Sequence, residues 1–535
     1  MTDLKLHQWY ATLNGSTIRS GVKSTLRCIP LRLGGCVTLV GLLWIVVAEA
    51  GEPVQGWRPV TTVLHVHSDM STGSDSLESL VAQARSYGIE TLILTDNFLL
   101  RYEYGLFPLR GLIRRTVTLP SIMSSGVDRY FEAIREVNRR HPDVLVMPGV
   151  EVVPHYYWTG SLFGKDLTMH DSQKNILVVG LQSETDYKRL PVAGNYAAYD
   201  FGWPTVLWLS PALLVAPALW LLNRRVERKV RVGWTFMIVR TRLVVPGVVL
   251  LIVAGLLLFN NYPFGRSPFD VYQDGNGLQP HQRLIQYVHE RGGLTVWSMP
   301  EVRDFNRYGF GRLGIVTVKT DPYPDALLRT TDYTAFGALY EDTITMTDVG
   351  GVWDAVLGEY LRGRRSSPIW GVGEAAYHGS GHAGKQLFDV ETILLVKERT
   401  PAALLDAMAK GRMYTLQRSK EYGLLLNEFT LISEATGEPA LSGQTLRVPA
   451  SSPILVRLAV SSSDGRSRQT PVLIIRSGRL MNTSTETVPF TVTLQDTAPA
   501  AGEASYYRLM IGTGDHRIVS NPIFIRGEGP FGVKG

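Results

Sequence analysis

Cysteine is almost missing from this chain. Only Cys28 and Cys36 occur in 535 residues, so everything beyond position 36 is built without disulfides or thiolate chemistry. A strong charge of one sign is missing too: 54 Lys and Arg face 48 Asp and Glu, a formal net charge of +6. Much of that excess sits in two basic clusters, one before Cys36 and one at Asn223–Arg242, and the remainder is close to balance. The high isoelectric point therefore does not argue for nucleic-acid binding. No internal repeat and no long low-complexity run occurs.

Long uncharged stretches are few, and each has a consequence. Cys36–Ala48 is short for a membrane span, follows a basic segment and ends at Ala48-Glu49-Ala50, a small-residue site. It reads as a signal peptide or an uncleaved anchor, the anchor being preferred because two further apolar runs follow. Those runs, Val206–Leu222 and Leu243–Phe259, are each 17 residues, the low end of the ~17–25 needed to cross a bilayer. The segment between them carries seven Lys/Arg against one Glu, and aromatics flank the pair at Tyr199, Trp203 and Tyr262. Basic inside and aromatic at the interface is the dress of a transmembrane hairpin, and the two basic clusters agree on one orientation. The expectation is a multi-pass protein of the cell membrane with its folded body on the extracytoplasmic side. Neither run carries an ionisable residue, which argues against a transporter or channel.

At this length two or more folded units are expected. The divisions read from the sequence are 1–50 for the N-terminus and first apolar segment, and 56–200 for the first part of an α/β domain. The hairpin occupies 204–260, the α/β domain resumes over 278–412, and 413–530 forms an all-β sandwich. Strand and helix patterns alternate from Val60–Val66 through Ser76–Tyr87 and Thr91–Thr95 to Ile369–Gly373, which implies parallel pairing with helical crossovers. Beyond Ala402–Lys410 only short β-rich runs remain, such as Ile454–Val460 and Tyr506–Ile511, separated by Gly, Ser and Pro turns.

His65 and His67 stand two apart at the end of the first strand, so an extended backbone sends both imidazoles from one face. That spacing lets two ring nitrogens approach one cation, though a hydrogen-bonded pair at a strand end is the simpler alternative. Other polar groups follow at strand ends: Asp69, Asp96-Asn97, Glu151, Asn175, Ser298-Met299 and Glu374 to His378. Isolated histidines in polar loops, such as His155, His170 and His382, are more simply solvated, and His141 suits a helix C-terminus.

The run HVHSD, then TDN, PGVEVV, GGLTVWSMP and AYHG resembles the PHP (polymerase and histidinol phosphatase) family of metal-dependent phosphoesterases. LLDAMAKGRMYT and the closing YYRLM and SNPIFI resemble its branch with a C-terminal β-sandwich. The resemblance implies a distorted seven-stranded (β/α) barrel, here interrupted by the hairpin, with His65, His67, Glu151 and His378 as metal ligands. It also marks departures. Asn97, Asn175 and Met299 stand where a ligand histidine is expected, and Ala376 stands for an aspartate. An amide, a thioether and a methyl are poor or null ligands for a hard divalent ion.

Two histidines and a carboxylate leave a coordination position open for water. The implied cofactor is a divalent metal, zinc or manganese, in fewer copies than family members hold, or none. Asp69, Asp96, Asn97, Asn175, Met299 and Glu374 are the further pocket candidates. The implied function is a membrane-anchored phosphoesterase acting on a phosphorylated substrate. The alternative is a catalytically inactive barrel that binds an envelope protein. No nucleic-acid partner is expected.

Overall fold

A computed structural model describes residues 56–200, 202–262, 267–309, 315–341, 344–382 and 385–529. The expected signal or anchor segment, 1–50, lies outside them. The first strand, β1 (Arg58–Val66), is β-branched along its length and buried from Thr62 to Val66, as a strand covered on both faces must be. Helix α1 (Leu77–Ser86) starts because the Ser76 hydroxyl caps the Ser79 amide, and it buries Leu77, Leu80, Val81 and Ala84 at helical spacing. It returns the chain to β2 (Thr91–Leu94), parallel to β1.

Two-residue β3 (Asp96–Asn97) follows, then an excursion hairpin of β4 (Arg101–Gly105) and β5 (Arg114–Thr118). Helix α2 (Val127–Arg140) leads to β6 (Leu145–Met147) beside β2 and β7 (Gly149–Val152) beside β3. After the small strands β8 (Tyr157–Thr159) and β9 (Thr168–His170), β10 (Ile176–Val179) pairs with β7.

The two apolar runs come next. The first contains Pro211 and Pro217, and it divides into a 3-10 segment, Leu207–Leu214, and the nine-residue α3 (Val215–Asn223). Proline removes a backbone donor and disrupts a continuous α-helix. The basic segment is not a loop but an exposed two-stranded ribbon, β11 (Arg225–Val232) with β12 (Thr235–Arg242). The second run is α4 (Val244–Asn260), 17 residues. Among the described residues no helix is long and apolar enough to cross a membrane, so the expected transmembrane hairpin is not supported as a pair of spanning helices.

The α/β domain resumes with α5 (Gln279–His289) and β13 (Leu294–Trp297), then a side hairpin of β14 (Asp304–Gly309) and β15 (Ile315–Thr320). It continues with β16 (Ala335–Leu339), α6 (Val352–Leu361) and β17 (Trp370–Gly373). Pairing then closes a ring. From β1 it runs through β2/β3, β6/β7, β10, β13, β16 and β17. It returns to β1 by a parallel bridge between Tyr377 and Val66. Seven strand positions make a distorted barrel, as the family resemblance implies.

One strand departs from the all-parallel expectation. β10 is antiparallel to both β7 and β13, because the chain reaches it from β7 without a helical crossover. As a result Asn175, at the beginning of β10, faces the same end of the barrel as the residues that end the parallel strands.

After β18 (Val390–Val396), α7 (Pro401–Ala409) and β19 (Met413–Gln417), two sheets form a β-sandwich. One contains Leu424–Ser433, Pro453–Ser462 and Phe490–Thr497. The other is continuous through β19 and β18 with β1 of the barrel. The strand Pro453–Ser462 alternates buried with more exposed positions throughout, as one inward face requires.

The barrel meets the sandwich at a buried charge. Arg508, fully buried, donates from Nε and Nη2 to the two oxygens of Asp354 on α6 at 2.7 and 2.6 Å, and the Tyr506 hydroxyl adds a third bond at 2.7 Å. Removing one partner of such a pair strands a charge. Arg508→Ala is therefore expected to lower unfolding free energy by about 3–5 kcal/mol. An Arg508→Met, Asp354→Leu double variant should recover most of it in denaturant titrations.

Candidate metal site

His65 does not sit on a regular strand. Pairing between β1 and β2 shifts register between Leu64 and Val66, and His65 takes φ 70°, the left-handed region that costs a β-branched or bulky residue most. This bulge, not simple alternation, re-aims His65 so that its ring lies 5.2 Å from that of His67, tilted 53°. Met299 (φ 39°) and Ala376 (φ 44°) are also left-handed at strand ends around the same pocket. Strained backbone of this kind is held only where surrounding contacts over-determine it, typically at functional sites.

A line of polar atoms crosses the barrel mouth. His65 Nδ1 lies 2.8 Å from Glu374 Oε2, and Ser298 Oγ donates to the same oxygen at 2.6 Å. The Met299 amide donates to the other oxygen at 3.1 Å. On its far side His65 Nε2 faces Glu151 Oε1 at 3.3 Å, while His67 Nε2 is 3.7 Å from Glu151 Oε2. Asn97 and Asn175 each donate an amide hydrogen to Glu151, one to each oxygen, at 2.5 Å. Both amides thus serve as donors that neutralise the carboxylate rather than as ligands.

His378 stacks on His67 with ring centroids 4.0 Å apart. Thr72 Oγ1 donates to Asn97 Oδ1 at 2.7 Å and lies 3.0 Å from His378 Nδ1.

Charge follows from this geometry. Burial opposes a proton on His65, but Glu151 and Glu374 outweigh it and push its pKa up to about 9. Burial likewise raises Glu151, yet His65 and its hydrogen bond hold that carboxyl below its ordinary value. His67 is kept well below the usual histidine value by burial and then by the charge of His65. His378 is held low by burial and by neighbouring His67. Two neutral imidazoles therefore stand beside one imidazolium between two carboxylates.

The donor set suits one divalent ion. Ligand atoms of His65, His67 and Glu151 all lie within 4.8 Å of one another. His67 Nε2 is buried with no hydrogen-bond partner. The second nitrogen of His65 is braced by Glu374, the carboxylate–histidine arrangement that orients metal ligands. Nitrogen and carboxylate donors are those of zinc or manganese. Binding requires His65 Nε2 to release its proton, so uptake is proton-coupled.

Other candidates fall outside this set. Asp96 is buried but serves the loop: it accepts from the Ser68 amide and hydroxyl and from Ser71 Oγ at 2.5–2.9 Å. Burial nevertheless pushes its carboxyl up to about 7. Asp69 is exposed. Met299 takes part through its backbone amide, and its side chain packs against the core. His155 meets Asn276 at 3.2 Å and His170 stacks on Tyr157, both in a separate region. Thr72 and Gly337 had no distinguishing sequence signal, since each is a common residue given its role only by three-dimensional neighbours. Lys385 is a further such group, a cation whose charge lowers the pKa of both His67 and His378.

Against this geometry, residues 64–201 match the family model described as PHP domain, and the chain carries a PHP domain over that span, roughly a quarter of its length. A two-domain protein from Bacteroides vulgatus containing a predicted PHP-like metal-dependent phosphoesterase is 9% identical, with 85% of this chain and 91% of that one covered and a TM-score of 0.32. A candidate metal-dependent phosphoesterase from Bifidobacterium adolescentis is 14% identical over 60% of this chain and 88% of its own, with a TM-score of 0.24. An amidohydrolase from Chromobacterium violaceum with bound sulfate gives 14%, 61%, 90% and 0.24. No curated protein matches the chain.

Gly337 tests the brace on His65. A Cβ there would lie 2.0 Å from Glu374 Oε1 and would push the carboxylate off the imidazole. Gly337→Ala and Glu374→Gln are each expected to weaken zinc binding about 10–100-fold, measured by competition with a chromophoric chelator.

Proposed function

We propose that the chain is a metal-dependent phosphoesterase-like protein that hydrolyses a phosphate ester at the His65, His67 and Glu151 site, with His378 as a further ligand. The observation that carries this reading is the convergence of those three donors around a buried, unpartnered His67 nitrogen, with Glu374 bracing His65. When bound, a zinc-class ion supplies Lewis acidity to a phosphoryl oxygen and to water.

The chain's own residues do the rest. Glu374 and Ser298 hold the His65 ring in place and set which of its nitrogens faces Glu151. Asn97 and Asn175 fix the Glu151 carboxylate and occupy both its oxygens, which leaves little for a second ion. Lys385, held 3.6 Å from Glu341, offers a positive charge to a substrate phosphate.

The membrane placement is part of this proposal. Apolar side chains of the α3/α4 pair are exposed, Val245 at 74% and Phe259 at 74%, and the ribbon between them is basic and exposed. An exposed apolar surface of this extent marks an interaction site. The reading is that the pair enters a bilayer, with the barrel and sandwich on the extracytoplasmic face. The substrate would then be an exported or lipid-linked phosphate ester.

The Asn97 and Asn175 amides favour one competing reading, a barrel that binds a partner and does not turn over. Both are tested with purified full chain in neutral detergent. One equivalent of divalent metal and hydrolysis of p-nitrophenyl phosphate are expected. His65→Ala and Glu151→Gln should lower the rate by about two to three orders of magnitude, the several kcal/mol a Lewis acid supplies. Metal binding without turnover on phosphomonoesters or diesters would select the binding barrel, and absence of both would reject a metal enzyme.

A further inference from the structure

A sizeable cavity lies away from the barrel mouth. It has a volume of about 970 Å³ and lies between the β4–β5 hairpin and the C-terminal end of α4. The Gly111 amide donates to Asn260 Oδ1 at the end of α4 at 2.8 Å, and the Gly105 amide to the hydroxyl of Tyr272, beyond α4, at 2.6 Å.

Its floor is cationic. Arg101, Arg110 and Arg114 line it against two carboxylates, Glu103 and Asp270. Glu103 is shared by Arg114 at 2.9 Å and Arg101 at 3.6 Å. Arg110 forms no ion pair among the described residues, and its guanidinium lies 3.9 Å over the Tyr272 ring. The Nε atoms of Arg101 and Arg110 are buried with no hydrogen-bond partner. A buried donor without an acceptor is costly, and a guanidinium fork matches phosphate oxygens.

The wall is of opposite character. Trp208 and Phe259 line the cavity and belong to the apolar helical pair, whose Val248, Ile252 and Leu256 continue as exposed surface along α4. The volume is that of a site for an organic ligand, not a single ion. We infer that this cavity binds the phosphate head of an amphiphile, with its acyl part lying along the exposed apolar face of α4. Neither the metal site nor turnover is needed for this binding.

The test uses full-length protein in a neutral sugar detergent, titrated with dihexanoyl phosphatidic acid and followed by tryptophan fluorescence and calorimetry. Saturable binding at one equivalent is expected. Arg110→Gln should weaken it about tenfold or more, the value of a charge-assisted hydrogen bond, and Arg110→Lys should restore part of it. Zinc affinity of Arg110→Gln should remain that of the parent chain, which separates this site from the barrel mouth. Inorganic phosphate and neutral dihexanoylglycerol should each bind at least about tenfold more weakly. Equal binding of phosphate alone, equal binding of the neutral lipid, or unchanged affinity in Arg110→Gln would each overturn the inference.

Discussion

The site depends on one protonated imidazole held between two buried carboxylates. Burial alone would leave His65 neutral and would make Glu151 expensive to ionise. Placed together, the three groups compensate one another, and the pKa of His65 rises to about 9. Around that line the other contacts take their places. Ser298 and the Met299 amide satisfy Glu374, while Asn97 and Asn175 satisfy Glu151. A bulge at His65 and left-handed backbone at Met299 and Ala376 bring these groups to one point.

The same arrangement shows how asparagine side chains can stand beside the carboxylate of a candidate metal site. Replacing a neutral imidazole with an asparagine amide exchanges a lone pair for a hydrogen-bond donor. The donor stabilises the carboxylate that remains, while the buried His67 Nε2 is left without a hydrogen-bond partner. Both oxygens of Glu151 are thereby engaged by amide donors.

The barrel is joined to its surroundings at two very different interfaces. Toward the sandwich, a continuous sheet and the Arg508–Asp354 pair make a buried contact. Toward the α3/α4 pair, the contact is a large cavity with cationic and apolar walls. The first suits rigid coupling of two folded units. The second leaves room for a ligand.

Much of this was legible in the residues themselves. β-branched runs and helical spacing locate most barrel strands and helices because burial on two faces or one stripe leaves a periodic record. His65 and His67 stood out by their spacing at a strand end, and Glu151 joined them through the resemblance to the PHP family. Other features depended on contacts between distant segments. The antiparallel β10 follows from a connection without a helix, and the basic ribbon β11–β12 follows from local pairing in a segment whose charge suggested only a loop. The polar strand Arg479–Val488 has no hydrophobic alternation to announce it. The roles of Glu374, Ser298 and the two asparagines exist only because residues 24 to 309 positions apart meet at 2.5–2.8 Å. Sequence determined which side chains were available and on which strands. The tertiary structure decided which came together as candidate metal donors, braces or hydrogen-bond donors, because hydrogen-bond geometry and desolvation act through space, not along the chain.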